Sequence, residues 1–270
     1  MGAPASGSHD WRWGEDPDPA GLWRIAPLEA AGARAVFSSR AGGVSPAPWD
    51  TLNLGASVGD EPARVRVNRE RFARAAGFDP TRTAHCHQVH GTTVLRVTQP
   101  GPAGTADGLC TDRPGLVLTI GVADCAAVYV FDPLGPAVGL VHAGWRGTVG
   151  DAVGVLLRTM HQAWGSRPER MLAAVSPCIG PCCYEVDEPV TGPLRRAAPW
   201  AAEVLEDPAA PRTRLDVARA NVLRLVDGGL RSERIHTAGL CTACHPRVLF
   251  SHRGSGGRTG RMQAAIWLPA

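Results

Sequence analysis

The sequence predicts an α+β fold with a mixed β-sheet, built as a single domain. Strand candidates outnumber helix candidates, and several follow one another directly, which disfavours a repeating βαβ arrangement. No linker rich in Ser, Gly or Pro divides the 270 residues into two complete patterns, and 44% of them are hydrophobic, which is enough for a sizeable core. We therefore expect one domain over residues 21–270, preceded by a disordered or loosely attached segment over residues 1–20.

Apolar periodicity places the elements in chain order. Alternating or continuous apolar runs predict strands over residues 35–39, 92–97, 116–122, 126–131, 137–141, 172–175, 235–239 and 262–268. Apolar residues spaced three and four apart predict helices over residues 61–77, 148–164 and 214–227. We expect Asp60 to cap the first helix. Its inward-facing residues are Val65, Phe72 and Ala76. The glycine pair at residues 228–229 should end the last helix.

The most informative feature is a cysteine and a histidine that flank a predicted hairpin. Cys125 stands directly before the strand over residues 126–131, and His142 directly after the strand over residues 137–141. An antiparallel pair returns to its starting end, so Cys125 and His142 should be neighbours. A cysteine beside a histidine forms either a metal site or an activated nucleophile.

Three further histidines cluster beside a predicted strand. They are His85, His87 and His90, and any of them could join Cys125 and His142. Two histidines and one cysteine provide three ligands and leave one coordination position open. That is the pattern of a catalytic zinc site, although copper accepts the same ligands.

Two segments are candidates for binding an anion. Thr148 and its neighbouring glycines are expected to open the helix that follows His142, and a helix N-terminus presents free N–H groups. Arg146 adds a planar cation beside them. The glycine-rich loop over residues 251–261 carries Arg253 and two further arginines. Two interpretations of this loop stay open, an anion clamp and a solvated loop.

The composition excludes several classes of reaction and of binding partner. All 28 basic residues other than histidine are arginine, which excludes Schiff-base formation and a Walker lysine. The net charge of +3 is spread along the chain, which argues against nucleic-acid binding, and no apolar run is long enough for a membrane span. The first twenty residues lack the pattern of a signal peptide. We therefore expect a cytoplasmic protein whose eight cysteines are reduced.

A Cys-Thr-Ala-Cys-His motif over residues 241–245 matches the spacing of c-type haem attachment. No export signal accompanies it, so we set that interpretation aside. A redox-active pair would lack its usual thioredoxin-like context. A zinc clip completed by Cys178, Cys182 or Cys183 stays open, although small buried thiols at a turn are the favoured interpretation.

Nine short motifs run in order over about residues 35–268, nearly the whole chain. They are Ser39–Ser45, Thr51–Gly55 with Val58–Asp60, Gln88–Gly91, Ala106–Gly108, Ala123–Cys125, Val141–Gly147, Ile179–Pro181 with Cys183–Val186, Cys241–Thr242 and Thr259–Arg261. Taken together, they resemble the laccase-domain family. Its members are also described as purine nucleoside phosphorylases, multicopper polyphenol oxidases and, in bacteria, peptidoglycan editing factors.

The resemblance implies a layered α/β/β/α catalytic domain. It implies a zinc ion held by His90 of the QxHG motif, Cys125 of the ADC motif and His142 of the HAGWRG motif. It also implies two small-molecule partners, a purine nucleoside and phosphate. The implied reactions are phosphorolysis of adenosine, inosine and methylthioadenosine, and hydrolytic deamination of adenosine. One departure is that Arg253 is followed here by Gly254, where the family usually has a second arginine.

A zinc-dependent purine nucleoside enzyme is therefore the leading hypothesis. Cys125, His142 and Asp124 are the expected catalytic residues, and Asp107 is an alternative to Asp124 for moving protons or orienting a ligand. For deamination, zinc would activate water. The expected substrate-binding residues are Arg40, Asn53, Arg146 and Arg253.

Three alternatives stay open. In a cysteine hydrolase acting on an amide of a cell-wall precursor, Cys125 would be the nucleophile and His142 its base. Copper-dependent phenol oxidation would need more paired histidines than the nine present, of which His85 and His87 form the single HxH pair. The last alternative is a zinc-stabilised binding protein without catalytic activity.

Overall fold

A computed structural model of the chain describes residues 17, 18 and 21–270. The segment predicted over residues 1–20 therefore lies outside the described residues, apart from residues 17 and 18. The described strands run over Leu22–Arg24 (β1), Arg34–Ser38 (β2), Thr83–His87 (β3), Val94–Arg96 (β4), Gly101–Thr105 (β5), Gly108–Thr111 (β6), Val117–Val122 (β7), Ala126–Asp132 (β8), Ala137–Ala143 (β9), Leu172–Val175 (β10), Glu185–Asp187 (β11), Arg212–Arg214 (β12), Ile235–Thr237 (β13) and Met262–Trp267 (β14). The described α-helices run over Ala26–Ala30 (α1), Pro62–Ala76 (α2), Trp145–Val149 (α3), Ala152–Trp164 (α4), Glu188–Ala197 (α5), Ala201–Val204 (α6) and Val217–Asp227 (α7).

Two six-stranded sheets form the centre of the fold. The first has the order β1-β2-β14-β7-β3-β5 and the second the order β13-β10-β8-β9-β6-β4, while β11 and β12 pair separately. Both large sheets are mixed, because β3 runs parallel to β5 and β7, and β10 runs parallel to β13, among otherwise mostly antiparallel neighbours. The predicted α+β class with a mixed sheet is confirmed.

The alternation of side chains along β8 explains how the layers stack. Ala126, Val128 and Val130 pack into the cluster that contains the buried residues of α4 and α7. The side chains of the alternate residues, Ala127, Tyr129 and Phe131, pack into a second cluster shared with the first sheet. Both faces of the strand are therefore buried, and for that reason its sequence is a continuous apolar run.

The outer face of the first sheet is covered by α2. Phe72 and Ala76 of this helix pack with Val36 of β2, Val117 of β7 and Ala265 of β14. The resulting order of layers is helix, sheet, sheet, helix, as the resemblance implied. None of the helices in the described ranges is both long and apolar enough to cross a bilayer.

The predicted cap of α2 is wrong, although the helix and its buried residues Val65, Phe72 and Ala76 are confirmed. The helix begins at Pro62, and no side chain caps it. Asp60 instead accepts hydrogen bonds from Ser45 Oγ and Asn53 Nδ2 through one carboxylate oxygen, at 2.6 and 2.9 Å. Its carboxylate therefore ties together the loop that precedes the helix.

The helix predicted over residues 148–164 is two helices. The first, α3, begins at Trp145, so Thr148 lies inside it and donates its hydroxyl to the Gly144 carbonyl oxygen at 3.0 Å. Asp151, with φ +65°, interrupts the helical path and caps α4 by accepting a hydrogen bond from Gly154 N. The free N–H groups nearest His142 are therefore those of α3, a helix of a little over one turn.

Candidate metal centre and surrounding cavity

The hairpin of β8 and β9 brings Cys125 and His142 together. Ala127 pairs with His142 in the antiparallel register, and Cys125 directly precedes β8, as predicted. His142 lies within β9 and not after it, since the strand continues to Ala143. The convergence predicted from the spacing is nevertheless confirmed.

His90 completes a group of three ligand atoms. One nitrogen of His90, the sulfur of Cys125 and one nitrogen of His142 all lie within 4.8 Å of one another, and the two rings meet edge to face with centroids 4.8 Å apart. His85 and His87 belong to β3 and line the same cavity but are not part of this group. Two imidazoles and a thiolate at these distances can hold one metal ion.

Asp107 orients two members of the group. Its carboxylate accepts hydrogen bonds from His142 Nδ1 at 2.8 Å and from the backbone N–H groups of His90 and Gly91 at 2.9 and 2.6 Å. An ionised carboxylate accepts and does not donate, so His142 carries a proton on Nδ1, and Nε2 is the nitrogen that can bind a metal once it has lost its own proton. The backbone bonds hold His90 at φ +60°, a conformation rare for residues other than glycine.

The protonation states of Cys125 and His142 depend on each other. Burial alone would raise the pKa of Cys125, but hydrogen bonds with His142 and His90 lower it to about 6. Burial alone would lower the pKa of His142, but hydrogen bonds with Asp107 and Cys125 raise it to about 9. Without a metal, Cys125 and His142 therefore form a thiolate–imidazolium pair near neutral pH.

A cavity of about 860 Å³ opens in front of this group. Its described lining includes four arginines, Arg69, Arg146, Arg253 and Arg261, and one carboxylate, that of Asp124. A volume of this size is typical of small-molecule sites. The excess of arginine favours an anionic ligand group such as phosphate.

Two of the four predicted substrate-binding residues line the cavity. The guanidinium of Arg146 lies 4.3 Å from the centroid of the Trp145 ring, and that of Arg253 lies 5.0 Å from the centroid of the Tyr184 ring. Arg253 also donates from Nη1 to the Glu185 carbonyl oxygen at 3.1 Å. Both side chains are therefore directed by aromatic neighbours at the cavity wall.

The other two predicted residues, Arg40 and Asn53, are not among those that line the cavity. The Arg40 guanidinium forms an ion pair with Asp50 at 2.9 Å and donates to the Pro246 carbonyl oxygen at 2.7 Å. The fully buried Asn53 amide bonds Gly55, Asp60 and the backbone N–H of Arg261. Both side chains are engaged in holding loops, and the structure does not bring them into the lining of this cavity.

Asp124 lines the cavity, but both oxygens of its carboxylate have protein partners. Oδ1 accepts from Thr242 Oγ1 at 2.5 Å, and Oδ2 accepts from the backbone N–H of Arg253 at 2.6 Å. Its backbone carbonyl accepts from Ile179 N at 2.8 Å. Asp124, which directly precedes Cys125, thus joins three loops of the cavity wall.

Comparison with known proteins places this architecture in a family. The model of the family described as multi-copper polyphenol oxidoreductase laccase matches residues 34–269. The chain belongs to this family. Its relatives include the purine nucleoside phosphorylase YlmD of Geobacillus stearothermophilus, 37% identical over 257 residues that cover 91% of this chain and 94% of that protein. A purine nucleoside phosphorylase of Deinococcus radiodurans is 42% identical over 235 residues, covering 86% and 88%.

Solved structures agree with the family assignment. The hypothetical protein YfiH of Bacillus licheniformis superposes with a TM-score of 0.89 at 31% identity, covering 93% of this chain and 97% of that one. YlmD of Geobacillus stearothermophilus superposes with a TM-score of 0.87 at 34% identity, covering 94% and 98%. The resemblance inferred from nine motifs is therefore confirmed, and so is the fold that it implied.

One cavity residue of this laccase-family chain, Arg69, is not among the residues predicted from the sequence. It lies on α2, lines the cavity and donates from Nε to the Leu54 carbonyl oxygen at 3.0 Å. Burial lowers its pKa below the ordinary value. The signal was present, because Val65, Arg69 and Phe72 share one helix face at spacings of four and three residues.

Replacing Gly144 with alanine is expected to weaken metal binding by this family member. An added Cβ would lie 2.4 Å from Cys125 Sγ, so the sulfur must move. Overpacking of this kind costs about 1–3 kcal/mol, so we expect the affinity to fall by about 5- to 150-fold. Competition with a chelator measures the metal affinity of the variant. Gly121→Ala is the matched control, because its Cβ meets no atom closer than 3.6 Å, and equal losses in both variants would contradict the prediction.

In the metal-free protein, Cys125 is expected to react with iodoacetamide at low pH. The thiolate is the reactive form, so with a pKa of about 6 in place of the ordinary 9 the rate should stay near its maximum down to about pH 7 and fall to about half at pH 6. In His142→Ala the profile should move toward higher pH, because a hydrogen bond that stabilises the thiolate is lost. Rates measured by mass spectrometry between pH 5 and 9 decide this, and an unshifted profile in the variant would refute it.

Proposed function

We propose that this protein is a zinc-dependent purine nucleoside phosphorylase that also deaminates adenosine by hydrolysis. The proposed substrates are adenosine, inosine and methylthioadenosine together with phosphate. The observation that carries the proposal is the meeting of His90, Cys125 and His142 on the wall of a cavity whose other charges are mainly arginines. Relatives that cover most of the chain bear the name purine nucleoside phosphorylase, which supports the same reaction class.

The three donors fit a zinc ion with an open position. His90 and His142 would each supply an imidazole nitrogen and Cys125 a thiolate, and Asp107 fixes the tautomer of His142 that zinc requires. When bound, the ion would supply Lewis acidity that lowers the pKa of water or polarises a substrate oxygen. Copper accepts the same ligands, so metal analysis of the purified protein distinguishes zinc from copper.

The arginines of the cavity supply a binding site for phosphate, the second proposed substrate. In phosphorolysis a phosphate oxygen bonds to the anomeric carbon while the glycosidic bond breaks, so the phosphate must be held beside the sugar. We assign this role to Arg146 and Arg253, whose guanidinium groups line the cavity that the metal group faces. We assign Asp124 to the positioning of Arg253, because both of its carboxylate oxygens already accept hydrogen bonds.

Product analysis with and without phosphate tests the proposal. With phosphate, inosine should give hypoxanthine and ribose 1-phosphate, and adenosine should give adenine by the same route. Without phosphate, adenosine should still give inosine and ammonia, because the deamination consumes water. Chelation should stop both reactions, and zinc should restore them. Inosine cleavage that is independent of phosphate, or turnover that survives complete metal removal, would refute the proposal.

Arg146→Ala is expected to raise the KM for phosphate about tenfold, because losing one charge-assisted hydrogen bond costs about 1.5 kcal/mol. Deamination of adenosine, which needs no phosphate, should change much less. Arg40→Ala is the matched control, since Arg40 is engaged with Asp50 and Pro246 outside the cavity lining. It should lower the melting temperature and leave the KM for phosphate unchanged. Equal increases in KM for both variants would remove Arg146 from the phosphate site.

One observation favours a second candidate, a cysteine hydrolase that acts on an amide. In the metal-free chain Cys125, His142 and Asp107 have the order nucleophile, base and orienting carboxylate, and the pKa of Cys125 is about 6. Cys125 cannot be a zinc ligand and a free nucleophile at once. Hydrolysis of an amide substrate that zinc inhibits and chelation enhances would favour this candidate over the first.

A further inference from the structure

A second group of metal-ligating side chains lies outside the site described above. Cys182 and Cys183 belong to the loop between β10 and β11, and Cys241 and Cys244 belong to the loop that follows β13. The four sulfur atoms all lie within 4.8 Å of one another. Cys244 Sγ is 3.4 Å from the sulfurs of both Cys182 and Cys183.

These distances match a tetrathiolate better than a disulfide. Zinc binds thiolate sulfur at about 2.3 Å, so the sulfurs of a tetrahedral site with four cysteine ligands lie about 3.8 Å apart. A disulfide would bring two sulfurs to about 2.05 Å, and all four cysteines are free thiols. The backbone N–H of Gly180 also donates to Cys241 Sγ at 3.3 Å, a contact that supports negative charge on the sulfur.

We propose that Cys182, Cys183, Cys241 and Cys244 form a second, structural metal site that binds one Zn²⁺ ion. On binding, the thiols release their protons to solvent and all four sulfurs coordinate the ion, which leaves no position open for a substrate. The site differs in this respect from the group of His90, Cys125 and His142, in which three donors leave one position open. The inference does not depend on the proposed function.

The place of the four cysteines in the fold indicates what the ion does. The two loops already meet at a bridge between Cys178 and Cys241, and Thr242 N donates to the Cys178 carbonyl oxygen at 3.0 Å. The first loop also carries Ile179 and Tyr184, which line the cavity. Thr242, between the two ligands of the second loop, donates its hydroxyl to Asp124. A metal ion that joins these loops would therefore fix the wall of the cavity beside Cys125.

Metal stoichiometry of the full chain, expressed with added zinc and purified without chelator, tests the proposal. The wild-type protein should contain two zinc ions per chain by elemental mass spectrometry. Cys125→Ser should keep one, held by the four cysteines. The double variant Cys182→Ser/Cys244→Ser should also keep one, held by His90, Cys125 and His142. Cys86→Ser, which removes a half-buried thiol outside both groups, should keep two.

Cobalt supplies a measurement that does not depend on the double variant being folded. Cys125→Ser loaded with cobalt(II) chloride should show the intense thiolate-to-cobalt charge-transfer band and the visible bands of tetrahedral cobalt. Native mass spectrometry of the same sample should show one bound ion. Absence of these bands, a Cys125→Ser protein without metal, or a disulfide between Cys182 and Cys244 in freshly purified protein would each overturn the proposal. Iron in place of zinc in the four-cysteine group would overturn the assignment of the metal.

Discussion

Replacing Cys125 with serine is expected to remove the metal from the three-donor group and to lower nucleoside turnover by about 10³-fold or more. Cys125 supplies the one soft ligand of the group and lies within 4.8 Å of the ligand atoms of His90 and His142. A serine hydroxyl is a poor zinc ligand at neutral pH, and two imidazoles alone bind the ion weakly. A loss of 10³-fold corresponds to about 4 kcal/mol of transition-state stabilisation. Steady-state turnover of inosine with phosphate, measured beside metal content, checks the result.

Cys110→Ala is the control for the loss of a buried thiol. Cys110 lies on β6, is fully buried in the core that faces α4, and is outside the cavity lining. Its replacement should cost about 1 kcal/mol of stability and leave metal content and turnover unchanged. Wild-type turnover in Cys125→Ser, or an equal loss in Cys110→Ala, would show that the three-donor group does not perform the reaction.

The part of the site that the sequence predicts is the part set by local periodicity. Two apolar runs of strand length, separated by a turn of Asp, Pro and Gly, require a hairpin, and the hairpin requires that Cys125 and His142 meet. The register of Ala127 with His142 confirms this. Local pattern also predicts β7 and β10, because both are continuous apolar strands buried inside the layers.

The approach of His90 to the same point could not be derived from local pattern. His90 follows β3, a strand of the first sheet, whereas Cys125 and His142 belong to the hairpin of the second sheet. The contact therefore depends on how two sheets stack, which no short-range periodicity encodes. The QxHG motif selected His90 over His85 and His87 through the family resemblance, and the geometry agrees with that selection.

Arg40 and Asn53 show that a residue of a family motif need not line the cavity. Both belong to motifs that resemble the family, and both hold loops by hydrogen bonds to backbone groups. Asn53 accepts from the backbone N–H of Arg261, and Arg261 lines the cavity. A polar residue can therefore act on a site through another residue, and a sequence pattern does not separate the two roles.

For a related reason the sequence left the four-cysteine group only as an open alternative, a zinc clip completed by Cys178, Cys182 or Cys183. The parallel pairing of β10 with β13 brings the loops that follow these two strands to the same edge of the second sheet. Parallel pairing between strands far apart in the chain has no local signal. The cysteines at residues 241 and 244 alone therefore favoured small buried thiols at a turn, whereas the structure places Cys182 and Cys183 beside them.

Replacing Asp107 with asparagine is expected to lower the zinc affinity of the three-donor group by about 10- to 100-fold, as is usual when a carboxylate that orients a metal-binding histidine is lost. The asparagine side chain has one acceptor oxygen, and its amide nitrogen would face N–H donors that now bond the carboxylate, those of His142, His90 and Gly91. At least one buried donor would lose its acceptor, at a cost of about 1–3 kcal/mol of folding stability. The pKa of His142 should also fall, because Asp107 is one of the groups that raise it.

Asp132→Asn separates the effect on the metal from the effect on stability. Asp132 is likewise fully buried and accepts hydrogen bonds from backbone N–H groups and from Arg170, but it lies at the far end of the hairpin, outside the cavity lining. Its replacement should lower the free energy of unfolding to a similar extent and leave zinc affinity unchanged. Affinity is measured by competition with a chromogenic chelator, and stability by urea unfolding of the metal-free proteins. If Asp107→Asn loses stability but binds zinc like the wild-type protein, then Asp107 holds the fold and does not orient His142 toward a metal.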